Sequence, residues 1–447
     1  MNTFAVLILA ALGTAVAQEP VTAEASERWN LYFQATSIGD YHGTFTAAYS
    51  GPHSLQNYPE RDASLTSTLY LGFRLPGDTQ IYIDPEIAGG RGFSGVNGVA
   101  NAPNGELPRV ASATPKPYLA RAYLTHDFGF GSEREDIPSA ANQLSGSRPM
   151  TRYSITAGRF TVTDFFDNNR YTHDPRTQFM GWGIMYNGAW DYPADVRGYT
   201  WGWVHEFHAR RWSLRYASAA EPRVANGLRL DRRVFRDRGD MWEGERRYHM
   251  NEHPGAVRVL GFALHSRSGS YADALRLSDT TGSAPDVTAT RKAGTLKYGF
   301  GLNLEQEIAR DVGVFARLGW NDGKTESFAF TAIDRLASGG VSVAGARWKR
   351  PDDAAATAFT ASGISGVHAS YLARGGQDFL IGDGALRYGP EYVWESYYSA
   401  RLIAGLFATI DLQRLANPGY NQDRGPVWIP SARLHLELRL HGASKNP

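Results

Sequence analysis

Apolar side chains take every second position in two stretches near the C-terminus. In 431–440, Ala432, Leu434, Leu436, Leu438 and Leu440 alternate with Arg433, His435, Glu437 and Arg439. In 401–412, Leu402, Ala404, Leu406, Ala408, Ile410 and Leu412 alternate with Arg401, Gly405, Thr409 and Asp411, although Ile403 and Phe407 interrupt the polar side. A period of two makes each stretch a strand with one apolar and one more polar face. A soluble sandwich would show the same alternation. The unbroken length, roughly nine residues or more, matches a tilted strand crossing a bilayer. Leu402, Leu406, Ile410, Leu434, Leu436 and Leu438 are therefore expected to face lipid.

The pattern recurs from Trp29 onward, near 65–75, 81–86, 118–128, 152–163, 199–207, 211–217, 257–265, 295–306, 311–321, 325–333, 362–373 and 389–398. Pro76-Gly77-Asp78, Ala209-Arg210 and Arg310-Asp311 read as tight turns. Long irregular segments lie near 88–117, 129–150, 164–198, 219–255, 268–293 and 334–361. Short turns alternating with long loops are the asymmetry of an outer-membrane barrel. At roughly 25–28 residues per strand and connection, the chain makes about sixteen strands. The predicted fold class is all-β: a transmembrane antiparallel β-barrel of about sixteen strands with long loops, some folded inward.

At the N-terminus, the apolar run Phe4 to Leu12 and the small-x-small signal Ala15-Val16-Ala17 predict a signal peptide over 1–17, although Met1-Asn2-Thr3 lacks the usual Lys or Arg. Residues 18–447 then form one barrel domain, with no linker to divide it. Past the leader no apolar run is long enough for a spanning helix, and mean hydropathy is −0.38. The balance of 46 basic and 45 acidic residues gives no sign of a nucleic-acid partner. With no cysteine, disulfides and thiolate metal sites are excluded. High Gly (48), Tyr (23) and Trp (11) suit turns and aromatic belts.

Catalytic motifs fail one by one. His205-Glu206-Phe207-His208 lacks zincin spacing, and in a strand its two histidines point to opposite faces. Gly92-Phe93-Ser94-Gly95 and Ser362-Gly363-Ile364-Ser365-Gly366 lack the spacing of a nucleophile elbow, and no phosphate loop or dinucleotide fingerprint occurs. The chain is expected not to be an enzyme and to need neither cofactor nor metal. Arg74, Arg121, Arg211, Arg215, Lys297, Glu305, Arg317, Arg401, Arg433 and Glu437 alternate with apolar residues and are expected to line a water-filled lumen. The apolar set beside Arg121, Glu305 and Arg317 is Ala120, Ala122, Leu304, Ala316 and Leu318. Carboxylate, amide, guanidinium and aromatic groups also cluster at strand ends, the combination that binds sugar hydroxyls and stacks on sugar C–H faces. Such clusters are Asp164, Asp167, Asn168 and Arg170; Trp320, Asn321 and Asp322; Asp383; and Asp423 with Arg424. Plain turn chemistry competes with this reading at Asn321-Asp322-Gly323 and Asp383-Gly384.

With those clusters in view, the chain resembles the carbohydrate-selective porins of the OprB type. The resemblance rests on Tyr49-Ser50-Gly51-Pro52, Tyr82-Ile83-Asp84-Pro85-Glu86, Asp164 to Asn168, Asp174-Pro175-Arg176-Thr177-Gln178-Phe179, Gly319 to Gly323, Gly382-Asp383-Gly384 and Asn417 to Val427. It implies a sixteen-stranded barrel in a Gram-negative outer membrane, with inward loops forming an eyelet that passes mono- and oligosaccharides. Asp84 and Glu86 join the candidates on the substrate path. The chain departs from the pattern at its end, where Leu440 is followed by a polar tail, His441 to Pro447, in place of a terminal aromatic. The partners expected are carbohydrates, outer-membrane lipid and the barrel-assembly machinery, with a homo-oligomer left open. The rival readings are a barrel-borne hydrolase and a secreted β-rich carbohydrate-binding protein.

Overall fold

The computed structural model describes residues 26–442 apart from 110–111, 234 and 331. The predicted signal peptide lies outside the described residues. The first eight strands are β1 (Trp29–His42), β2 (Glu60–Leu75), β3 (Thr79–Arg91), β4 (Lys116–Ile137), β5 (Gly146–Phe160), β6 (Thr200–His208), β7 (Trp212–Ala220) and β8 (Arg238–Met250). They are followed by β9 (His253–Ser268), β10 (Lys292–Ala309), β11 (Val312–Asn321), β12 (Arg335–Ala344), β13 (Ala354–Gly363), β14 (Glu391–Ile403), β15 (Leu406–Ala416) and β16 (Val427–Gly442). Neighbours pair antiparallel, and β1 pairs with β16, so the sheet closes into a sixteen-stranded barrel without an edge. Alternation turns the six predicted leucine and isoleucine positions outward, where Ile410 is 70% exposed.

Several sequence expectations are corrected. The run 401–412 is not one strand: β14 ends at Ile403 and β15 begins at Leu406, across Gly405 at φ +75°. A two-residue turn preserves parity, so Leu402 and Leu406 both face outward and the pattern reads through. The segment 129–150 is largely strand, and 219–255 contains β8. The segment 334–361 contains β12 and most of β13, whereas 325–333 lies in the β11–β12 connection. Residues 366–373 form a helix rather than a strand. Arg211 sits in the β6–β7 turn.

Two long connections fill the barrel. Residues 92–108 and 161–199 enter the lumen, the latter carrying α1 (Trp182–Met185) and the buried rings of Phe179, Trp190 and Tyr192. Inward carboxylates of the wall hold their main chains. Glu391 accepts from the N–H of Ala100 (3.1 Å), Asn101 (2.6 Å) and Gly419 (2.7 Å). Glu395 accepts from Met180 (2.6 Å) and Gly181 (2.9 Å). Buried backbone N–H groups need partners, and here strand side chains supply them.

At the long-loop end, α2 (Tyr271–Thr281) is capped by Ser270 and closed by Gly282 at φ +70°, and α3 (Gly366–Ala373) is capped by Ser365. The Tyr271 ring stacks on His368 at 4.2 Å, and His368 lies 3.1 Å from Asp334 and 3.3 Å from Asp378. Burial alone would lower the imidazole pKa, but the two carboxylates outweigh it and raise it from 6.5 to about 9. The loop cap therefore gains stability that is full below about pH 6.5 and is lost as pH rises through about 9. Protease sensitivity of the α2–α3 loops should increase over that window, and His368→Gln should abolish the dependence. A flat wild-type profile between pH 6.5 and 9.5 would refute the assignment.

Candidate functional site

Asp84 and Glu86 are inward because Ile83, Pro85 and Ile87 take the outward places on β3. Pro85 has no N–H to donate, and the ladder is irregular beside it, between Asp84 and Pro85. Across that bulge Asp84 faces Arg121, and Ala120, expected outside, is buried while Leu119 is exposed. Arg121 grips Asp164 with a two-pronged fork, Nε–Oδ2 2.7 Å and Nη2–Oδ1 2.6 Å, and reaches Asp84 at 3.3 Å. Glu86 accepts from Thr68 (2.5 Å), from the Tyr118 hydroxyl and from Arg176 (3.1 Å). Arg176 also donates to Glu106 at 3.1 Å. The guanidinium of Arg197 lies 4.0 Å over the Tyr118 ring, and that of Arg121 lies 5.4 Å over Tyr199.

The barrel thus brings together four predicted residues, Asp84, Glu86, Arg121 and Asp164. Sequence reasoning did not single out Tyr118, Tyr199 and Arg197. Tyr118 was detectable, since it stands opposite Glu86 in the ladder. Arg197 falls in an irregular loop and carries no periodic signal, while Tyr199 only opens the alternating run 199–207. Arg121 is 12% and Asp164 28% exposed, so the cluster is shielded but open on one side. Beside it lies a cavity of about 160 Å³, lined by Tyr82, Tyr123, Asp127, Arg152, Phe165 and Glu206. Asn142, in the 138–145 turn, donates to Asp84 at 2.8 Å and borders the cavity. Asp84 Oδ1, Arg152 Nε and Arg197 Nη1 are buried without a hydrogen-bond partner.

Other predicted residues serve as anchors. Arg317 was expected to line water, but its side chain is 0% exposed, beneath the 161–199 segment. It donates to Asp167 Oδ1 (3.1 Å) and to the carbonyls of Ile184 (2.8 Å) and Thr172 (2.7 Å). Asp167 also accepts from Asn303 (2.7 Å) and from the Asn187 N–H (2.9 Å). Glu305 accepts from the Arg170 N–H (2.7 Å) and pairs with Arg258 at 3.1 Å. The Arg170 side chain approaches Glu307 at 3.6 Å, and Asn168 donates to the Asp164 carbonyl at 3.3 Å.

Trp320 is outward, stacked on Phe300 at 5.5 Å, and so stands off the lumen path expected for it. Asn321 is inward and buried, tied to the carbonyls of Ala189 (3.0 Å) and Ile333 (2.9 Å). Asp322 is bound through its N–H to the Tyr298 carbonyl at 3.1 Å. Asp383 accepts from Ser54 and from Asn421 (2.9 Å), while Arg424 donates to the Tyr49 and Leu55 carbonyls. Asp423 pairs with Arg387 at 2.6 Å, so this last group joins the long loops to one another. His205 is outward, bonded to the Tyr153 hydroxyl at 2.7 Å, and His208 is inward near Glu206, as strand alternation requires.

A structure of Pseudomonas putida OprB at high pH superposes with TM-score 0.69 and 13% identity, covering 94% of this chain and 100% of that one. Acinetobacter baumannii OccAB1 matches at TM-score 0.48 and 9% identity over 94% of this chain and 99% of its own. The A. baumannii outer membrane channel DcaP matches at TM-score 0.47 and 8% identity over 92% and 97%. No curated protein sequence matches the chain. The family model for the carbohydrate-selective porin, OprB family, matches residues 63–438, and the chain belongs to that family.

Proposed function

We propose that this protein is an outer-membrane channel, not an enzyme, through which carbohydrates diffuse past the Arg121–Asp164–Tyr118–Arg197 cluster. Export by a 1–17 leader, insertion of an 18–447 domain by the barrel-assembly machinery, and placement in a Gram-negative outer membrane belong to the same reading. The observation that carries it is the partly exposed Arg121–Asp164 pair next to a cavity lined by Phe165 and by Asn142, which bonds Asp84 at 2.8 Å. These groups can exchange hydrogen bonds with hydroxyls and offer an aromatic surface. Weak binding at several such points is what flux requires, since a tight site would block the passage.

Planar-bilayer recordings with and without added sugars test this directly. Wild type should conduct ions, and sugar should reduce the current. Arg197→Ala and Asp164→Ala should each weaken that block several-fold in barrels that still fold. Trp320→Leu should leave it unchanged, because that ring stands outside. A channel whose sugar block survives both lumen changes would exclude this cluster as the recognition site.

A further inference from the structure

The ion pairs inside the barrel contrast with cations on its outside that form no salt bridge among the described residues. Arg61, Arg91, Arg267, Arg335 and Arg414 are exposed on the outward face at the long-loop ends of β2, β3, β9, β12 and β15. None of the five has a salt-bridge partner among the described residues, whereas Arg238 on the same rim is neutralised by Asp240 at 2.9 Å. Several sit in the aromatic belt. Arg61 lies 5.8 Å over the Tyr41 ring, and Arg335 stands opposite Trp320. Arg414 is flanked by Trp394 and Trp428, 5.9 Å from the latter ring. Ala63 pairs directly with Arg91, so Arg61, two residues along β2, is the diagonal neighbour of Arg91. Diagonal neighbours lie about 7–8 Å apart, close enough for two long side chains to converge on one anion.

Belt aromatics mark the headgroup level, and in these barrels the long loops lie on the external side. Guanidinium forks match phosphate oxygens. We propose that Arg61 and Arg91 clamp a phosphate group of an outer-leaflet lipid, and that Arg267, Arg335 and Arg414 extend the same anion-binding ring around the barrel. This rests on the outer-membrane placement above. The charge is complementary to an anionic headgroup and opposed to a second copy of the same rim.

Native mass spectrometry of the purified barrel, titrated with bis-phosphorylated lipid A and with its phosphate-free counterpart, tests it. Wild type should prefer the phosphorylated form at least ten-fold. R61Q/R91Q should lose most of that preference while its sugar-blocked conductance stays normal. R61K/R91K keeps the charge but not the fork, so it should fall between them; it also serves if the glutamine variant misassembles. A wild type indifferent to phosphate, an undiminished preference in the variants, or a mass increment of a second chain in place of lipid would overturn the proposal. A chain that failed to insert into bilayers would instead overturn the outer-membrane reading.

Discussion

Replacing Arg317 by Leu is expected to free the 161–199 segment from the barrel wall, at a loss of about 3–5 kcal/mol, the range for breaking a buried ion pair. The side chain is wholly buried and spans Asp167, Ile184 and Thr172, three points along that segment. Its removal leaves a buried carboxylate without its cation and takes a donor from the Thr172 and Ile184 carbonyls, the latter keeping only the Thr172 hydroxyl at 2.6 Å. Single-channel conductance should rise and become noisy, and limited proteolysis should cut within 161–199. R317L/D167N removes the stranded charge while keeping an acceptor for Asn187, so it should recover part of the loss. Unchanged conductance together with unchanged protease resistance in R317L would show that the segment is held elsewhere.

Leu434→Arg should destabilise the barrel by about 2–4 kcal/mol, the cost of a cation on the lipid face near the midplane. Leu434 lies midway along β16, outward, opposite Ala408 and Ser37. Leu440→Arg on the same face near the strand end should cost only about 0–1 kcal/mol, because the guanidinium can reach the interface. Unfolding midpoints in urea with lipid vesicles would measure both. Equal costs at the two positions would mean that the apolar band has been placed at the wrong depth.

Strands with one apolar and one polar face were legible in the sequence, and those with little contrast were not. β8 escaped because Glu243, Glu245 and Arg247 face inward while Gly244 and Arg246 interrupt the outward side. Arg215 explains that polarity, since it pairs with Glu243 at 2.8 Å and Glu245 at 3.2 Å. β12 escaped because Ser338, Gly339 and Gly340 give no contrast at all. The alternation of 325–333 was real but misleading: Phe328, Ala329, Phe330, Ala332 and Ile333 are all buried, packed among the inward segments.

The site was half legible. Alternation correctly sent Arg121, Glu305 and Arg317 inward, but no periodic rule shows whether a lumen-facing ion meets water or a loop. That depends on where residues 161–199 run, a matter of tertiary packing. Aromatic-plus-amide chemistry placed Trp320 on the path; its outward parity, Phe300 opposite it and the Asn-Asp-Gly turn pointed to the interface instead.

Glu391 and Glu395 recognise main-chain N–H groups, which every residue but proline presents in the same form. The grip on Ala100 and Met180 is therefore largely indifferent to their side chains, whereas Asn101 adds its own amide at 2.8 Å and a Cβ on Gly181 would meet the Glu395 carboxylate at 2.6 Å. Under the function proposed above, loop residues away from those points can be exchanged while the frame that positions them stays in place. For engineering, a grafted loop must keep its length between grip points, must not place proline at any of them, and must keep glycine at 181.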